Sequence, residues 1–205
     1  MPHKAYFNLP EEKQQRIRKA AVELYGTLPY EQVTARLLAK QAGVSVGSLY
    51  QYFADKDEIY VYYLNELSPS MVGLTPEMLI ENFNNLSRGE AYRYLTAEEN
   101  AFVNSMFYAP AEVLEKYYYV LSGSSFEFNR HRVERAIEQG KLPADIDTEL
   151  FSFLNSGVMF SLVMYGRAKG LDSPESNRRM YYEKFSTIRH FGTLFDYIEW
   201  SNEEK

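Results

Sequence analysis

Positions 34–56, TARLLAKQAGVSVGSLYQYFADK, concentrate side chains able to grip a polyanion and read its edges. The hydroxyls of Thr34, Ser45, Tyr50 and Tyr52 and the guanidinium of Arg36 suit phosphate oxygens, and Gln51 can hydrogen-bond an adenine edge. Lys56 follows an Asp55 cap, so its charge would sit beside the unpaired N–H groups of a helix start, where a phosphate is favoured. Ser45, Val46, Gly47 and Ser48 are small, as a surface must be to approach a base closely. The expected chemistry is recognition of duplex DNA, with no bond made or broken.

Such groups need a rigid carrier, and the same stretch encodes one. Thr34 is placed to cap a helix that Gly43 ends, Gly43 having the freedom to enter the left-handed region there. A second short helix over 45–53 follows. Leu38, Ala39, Val44, Leu49 and Phe53 would form the small core that locks the pair. Two short helices joined through a glycine turn are a helix-turn-helix, whose second helix enters the major groove. Upstream, Ile17, Ala20, Ala21 and Leu24 repeat at helical spacing within 11–26, and Gly26 and Pro29 are read as the break that follows. Downstream, Asp55 caps a helix carrying Ile59, Tyr62, Tyr63 and Leu67.

Beyond residue 74 the helix starts are well marked. Thr75-Pro76, Thr96 with Glu99, Ser124 with Glu127, Asp147 and Ser173-Pro174 open helices, and Gly89, Pro110, Gly140 and Gly170 close them. No run alternates strictly, so no sheet is expected, and the fold class is all-α. Serine, proline and glycine cluster near 67–74, dividing the chain into a helix-turn-helix domain at 1–67 and a larger helical domain at 68–205.

The net charge of −6 argues at first against a nucleic-acid binder, but its distribution reverses the argument. Residues 1–56 carry eight basic and five acidic side chains, a balance of +3, which leaves −9 for the rest. One end attracts phosphate and the other repels it. There is no cysteine, hence no disulfide framework or thiolate site, and no apolar run approaches the roughly 18 residues of a membrane span. A cytoplasmic location is expected. Glu127, His131 and Glu134 share a helical face at metal-ligand spacing, but the interleaved Arg130, Arg132 and Arg135 favour a salt-bridged surface, so no metal or other cofactor is expected. No phosphate loop, nucleophile elbow or zinc-protease motif is present, and an enzyme is not expected.

The stretch AGVSVGSLYQYFADKDEI resembles the signature of the TetR family of transcription regulators, and the likeness extends over about 17–59. By that resemblance Thr34 and Arg36 contact backbone and groove, Gly47, Ser48 and Gln51 face bases, and Tyr50, Tyr52 and Lys56 bind phosphate. Pro29 departs from a common glycine. Leu37 replaces a usual polar residue and so alters either a DNA contact or local packing. The turn at 138–147, EQGKLPADID, is similar to the one before the penultimate helix in many members.

The resemblance also implies a homodimer formed by the two longest helices, at 148–169 and 174–200, with Phe153, Gly157, Ser161, Leu194, Phe195 and Ile198 as interface candidates. A core role within one subunit is the competing reading of those residues. Among 18 tyrosines and 13 phenylalanines, the candidates to line an effector pocket are Phe102, Met106, Phe107, Tyr117, Phe126, Val133 and Phe160, for an aromatic, apolar or cationic small molecule. The implied function is a repressor released from operator DNA by that effector. The alternative is a DNA-binding regulator with a solid core, controlled by abundance or a protein partner.

Overall fold

A computed structural model of the chain describes residues 2–67, 95–119 and 124–171, with 176 and 180 singly. All regular structure among the described residues is helical. In chain order the α-helices are α1 (Lys4–Phe7), α2 (Glu11–Thr27), α3 (Ala35–Ala42), α4 (Val46–Tyr52), α5 (Lys56–Leu67), α6 (Ala97–Asn104), α7 (Ala111–Tyr118), α8 (Ser124–Glu138) and α9 (Thr148–Ala168). Short 3-10 turns cover Tyr30–Gln32 and Ser105–Phe107. The expected helix start at 75–76, the stop at Gly89, the boundary at 67–74 and the helix at 174–200 lie wholly or mainly outside the described residues.

Most of the caps expected from local spacing within the described residues are made, although Ser124 is the first residue of α8 itself. Thr34 and Ser45 accept hydrogen bonds from the Leu37 and Ser48 amides, and Asp147 from that of Leu150. Thr96 and Glu99 form a reciprocal capping box. Asp55 accepts from the Glu58 amide at 2.7 Å. Gly43 closes α3 at φ 65°, ψ 40°, with its own amide and that of Val44 returning to the carbonyls of Lys40 and Ala39.

Gly26 corrects one expectation, because α2 continues through it to Thr27. A Cβ built there would lie 3.1 Å from the Phe102 amide nitrogen and 3.3 Å from the Glu98 carbonyl oxygen. The glycine is the place where α2 and α6 touch backbone to backbone, and the chain turns one residue later. Pro29 opens the 3-10 turn that follows.

The core is one aromatic-rich cluster running from α1 to α7, joined by Val163 of α9. Its centre is the trio Tyr25, Tyr60 and Phe102, with ring centroids 4.8 Å apart for Tyr25–Tyr60 and 5.3 Å for Tyr60–Phe102. Tyr60 is fully buried and its hydroxyl bonds Ser105 Oγ at 2.8 Å. Helices α2 and α5 are thereby packed directly onto α6.

Candidate nucleic-acid interface

Helix α4 is the element that could enter a groove, and its two faces differ sharply. Leu49, Tyr52 and the following Phe53 are buried; Ser45, Val46, Gly47, Tyr50 and Gln51 are exposed, Tyr50 to 51%. The spacing explains this, since 49, 52 and 53 are one helical stripe and 46, 47, 50 and 51 the opposite one. Thr34, Arg36 and Lys40 on the neighbouring α3 are exposed as well. Leu37 is half-buried and packs against the cluster.

Four residues named from sequence have additional duties. Ser45 and Ser48 share a hydroxyl–hydroxyl bond of 2.8 Å at the start of α4, so their oxygens are partly committed to the cap. Tyr52 turns its ring into the core, and its hydroxyl accepts from Lys13 Nζ at 2.9 Å. Lys56 donates to the carbonyls of Tyr30 and Val33, both at 3.0 Å, with its ammonium 4.3 Å from the centre of the Tyr30 ring. It ties the start of α5 to the loop that leads into α3.

That loop is tied again through α5 and α7. The Tyr30 hydroxyl and the Lys116 ammonium both donate to Asp57, Lys116 at 2.8 Å. Arg18 bridges Glu66 at 2.5 Å and Glu99 at 2.6 Å. Burial raises the proton affinity of the Asp57 carboxyl, but the bonds from Lys116 and Tyr30 outweigh it and hold the group below the usual carboxylate range. Glu99 behaves alike: burial opposes, while the Thr96 amide and Arg18 prevail. Carboxyls depressed in the fold contribute stability above their unfolded values, near pH 4, and lose it as pH falls through the folded ones. In urea melts from pH 6 to pH 3, the wild type is therefore expected to lose more stability than the double variant Asp57→Asn, Glu99→Gln. Equal losses would mean that these pairs contribute nothing to acid sensitivity.

Of the effector candidates, Phe102 fills the seam between Tyr25 and Tyr60, and Tyr117, Phe126 and Val133 are buried. Met106 and Phe107 are half-buried in the 3-10 turn, and Phe160 lies against Tyr118 and Tyr119, at 6.0 and 5.6 Å. Of the interface candidates, Phe153 packs with its ring tilted against that of Tyr119 of the same chain, 5.1 Å between centroids, and a Cβ on Gly157 would meet the Tyr119 hydroxyl at 3.2 Å. Ser161 is exposed beside Leu154 and Tyr165 on one side of α9. Leu194, Phe195 and Ile198 lie outside the described residues. On α8, Arg130 pairs with Glu127 and Glu134, and His131 Nδ1 lies 3.2 Å from Glu134, so the expected salt-bridged face is present.

Sequence reasoning missed His3, Tyr6, Arg18, Asp57, Lys116 and Arg167, whose partners lie far along the chain. Tyr52 was detectable, because it falls three residues after Leu49 and beside Phe53 on the apolar stripe.

The family model described as bacterial regulatory proteins of the tetR family matches residues 17–63, spanning α2 to α5. The likeness to that family is carried by this helix-turn-helix segment, under a quarter of the chain. A relative, the HTH-type transcriptional regulator HbdR of Aromatoleum sp. (strain CIB), is 43% identical over 51 residues. That match covers 25% of this chain and 22% of HbdR, about a fifth of the relative's length. A TetR family transcriptional regulator from Chloroflexus aurantiacus J-10-FL is similar at 24% identity, over 96% of this chain and 95% of that one, with a TM-score of 0.44. SmeT, the repressor of the Stenotrophomonas maltophilia multidrug efflux pump SmeDEF, is 15% identical over 87% of this chain and 92% of its own, with a TM-score of 0.49. Among the described residues, no helix is long and apolar enough to cross a membrane.

Proposed function

We propose that the chain is a DNA-binding transcription regulator that represses by occupying operator DNA as a homodimer, with α4 of each copy in the major groove. The observation that carries this reading is the divided α4: a buried stripe fixes the helix, and an exposed one presents Val46, Gly47, Tyr50 and Gln51 on a net-basic domain. In this reading Thr34, Arg36 and Tyr50 contact phosphates, and Gly47, Ser48 and Gln51 meet base edges. Ser45 and Val46 open the approach, and Tyr52 and Lys56 serve mainly from behind by holding α4 and the loop before α3. Two copies would set their recognition helices roughly 34 Å apart, matching half-sites one duplex turn apart.

A small aromatic, apolar or cationic effector bound among α6 to α9 would release the dimer by favouring a state with misplaced recognition helices. The close packing of Phe102 between Tyr25 and Tyr60 supports a second reading, in which the core is solid and no effector is used.

The test is a fluorescence-anisotropy titration of the full chain against fragments of its own promoter region at several salt concentrations. A specific site is expected, with affinity falling as salt rises. Arg36→Ala and Tyr50→Ala should each weaken it about tenfold, and Arg36→Ala should also flatten the salt dependence, since only the guanidinium displaces a counterion from the phosphates. Binding to no fragment, or unaltered affinity in both variants, would end this reading.

A further inference from the structure

The N-terminal segment holds the far end of α4, and the geometry points to His3 as a positioning residue for DNA recognition; this rests on the function proposed above. Helix α4 has seven residues, well short of the roughly 12–15 that persist alone, so its order must come from contacts at its ends and on its buried face. The last carbonyls of a helix have no partner within it. Here the Tyr52 carbonyl accepts from the His3 amide at 2.9 Å, and the Gln51 carbonyl accepts from His3 Nδ1 at 3.1 Å. A carbonyl can only accept, so Nδ1 carries the proton in this contact.

His3 is itself held. The Tyr6 amide returns to the His3 carbonyl at 2.9 Å. The Tyr6 ring is buried 4.9 Å from that of Phe53, and its hydroxyl shares a 2.8 Å bond with that of Tyr63 on α5. From the other side, Lys13 of α2 holds the Tyr52 hydroxyl. The turn that carries Tyr50 and Gln51 is therefore clamped to α1, α2 and α5. Without His3 that turn frays in the free protein, and apparent affinity falls in proportion to the fraction of molecules still able to bind.

The experiment compares wild type, His3→Ala and His3→Asn as full chains, on the duplex that wild type prefers, across a salt series. Asparagine restores a side-chain N–H close to the place of Nδ1. His3→Ala is expected to bind about tenfold more weakly, from about threefold at each half-site, as suits one lost hydrogen bond. His3→Asn should stay within about twofold of wild type, and the salt slope should be the same for all three, because no phosphate contact is removed. Wild-type affinity in His3→Ala, or an asparagine variant as weak as alanine, overturns the inference. A flatter slope in His3→Ala overturns it in favour of a direct contact with phosphate. Amide hydrogen exchange on the free protein decides the clamp without DNA: His3→Ala should speed exchange at 50–53 and leave α2 unchanged, and His3→Asn should restore it. A wild type that binds no duplex refutes the proposed function, whereas unaltered exchange in His3→Ala refutes the clamp.

Discussion

Replacing Phe53 by alanine is expected to lower the unfolding free energy by about 3–5 kcal/mol, the usual cost of emptying a core aromatic site. The ring has no exposed surface and lies where α4 ends, with Tyr6, Tyr62 and Tyr63 around it at 4.9, 5.9 and 6.3 Å. Those neighbours cannot easily close on the space. Tyr6 and Tyr63 are tied to each other through their hydroxyls, and burial pushes the proton affinity of both up, which marks how little water reaches them. The Tyr62 ring borders the same space, and burial raises the proton affinity of its hydroxyl to about 12. Natural domains have only about 5–15 kcal/mol of stability, so a loss of this size removes a large share of it. The measurement is a urea melt, read as a lower midpoint at unchanged slope. Phe53→Leu should lose much less, because most of the volume is kept. A loss below about 1 kcal/mol for the alanine variant would show that the tyrosines do repack.

The helix-turn-helix was readable because its determinants are local. Thr34 and Ser45 find their amides three residues ahead, and Gly43 closes α3 with bonds inside its own turn; such partners are fixed by spacing alone. Helix α1 was not readable, since four residues without a side-chain cap hold no helix by themselves. Its order comes from Tyr6, whose partner Tyr63 is 57 positions away. Gly26 misled for a related reason. A glycine within a helical pattern serves equally as a stop or as a point of close approach, and only the position of α6 distinguishes them.

Lys56 and Tyr52 show the same limit at the site itself. Their types suit phosphate, and the resemblance assigns them to it, but side-chain type does not reveal which groups are already engaged. Lys56 meets two carbonyls because the 3-10 turn at Tyr30–Gln32, unforeseen from sequence, bends them toward it. The ties of Arg18 to Glu99 and of Lys116 to Asp57 span 81 and 59 positions, and no spacing rule reaches that far.

Arg167 shows how much such a long-range tie can carry, and its replacement by methionine is expected to cost about 2–4 kcal/mol, through loss of hydrogen bonds from a charged donor. From α9 its Nε donates to the Phe107 carbonyl at 2.9 Å, and its Nη2 to those of Met106 and Ala109 at 3.0 and 2.6 Å. One guanidinium therefore collects the carbonyls left free where the chain leaves α6. Burial lowers its proton affinity, yet an arginine stays charged at neutral pH, so every one of these bonds is charge-assisted. Methionine keeps much of the stem volume and removes all the donors, leaving the carbonyls to find water or stay unpaired. Arg167→Lys retains the charge without the planar fork that reaches several acceptors, and should lose about half as much as methionine. Because Ser105 of the same turn bonds Tyr60 of α5, loosening the turn should also speed amide exchange in α5 while α3 remains protected. If Arg167→Met melts within about 1 kcal/mol of wild type, the carbonyls are adequately solvated without the guanidinium, and the turn owes its shape to the packing of Met106 and Phe107 instead.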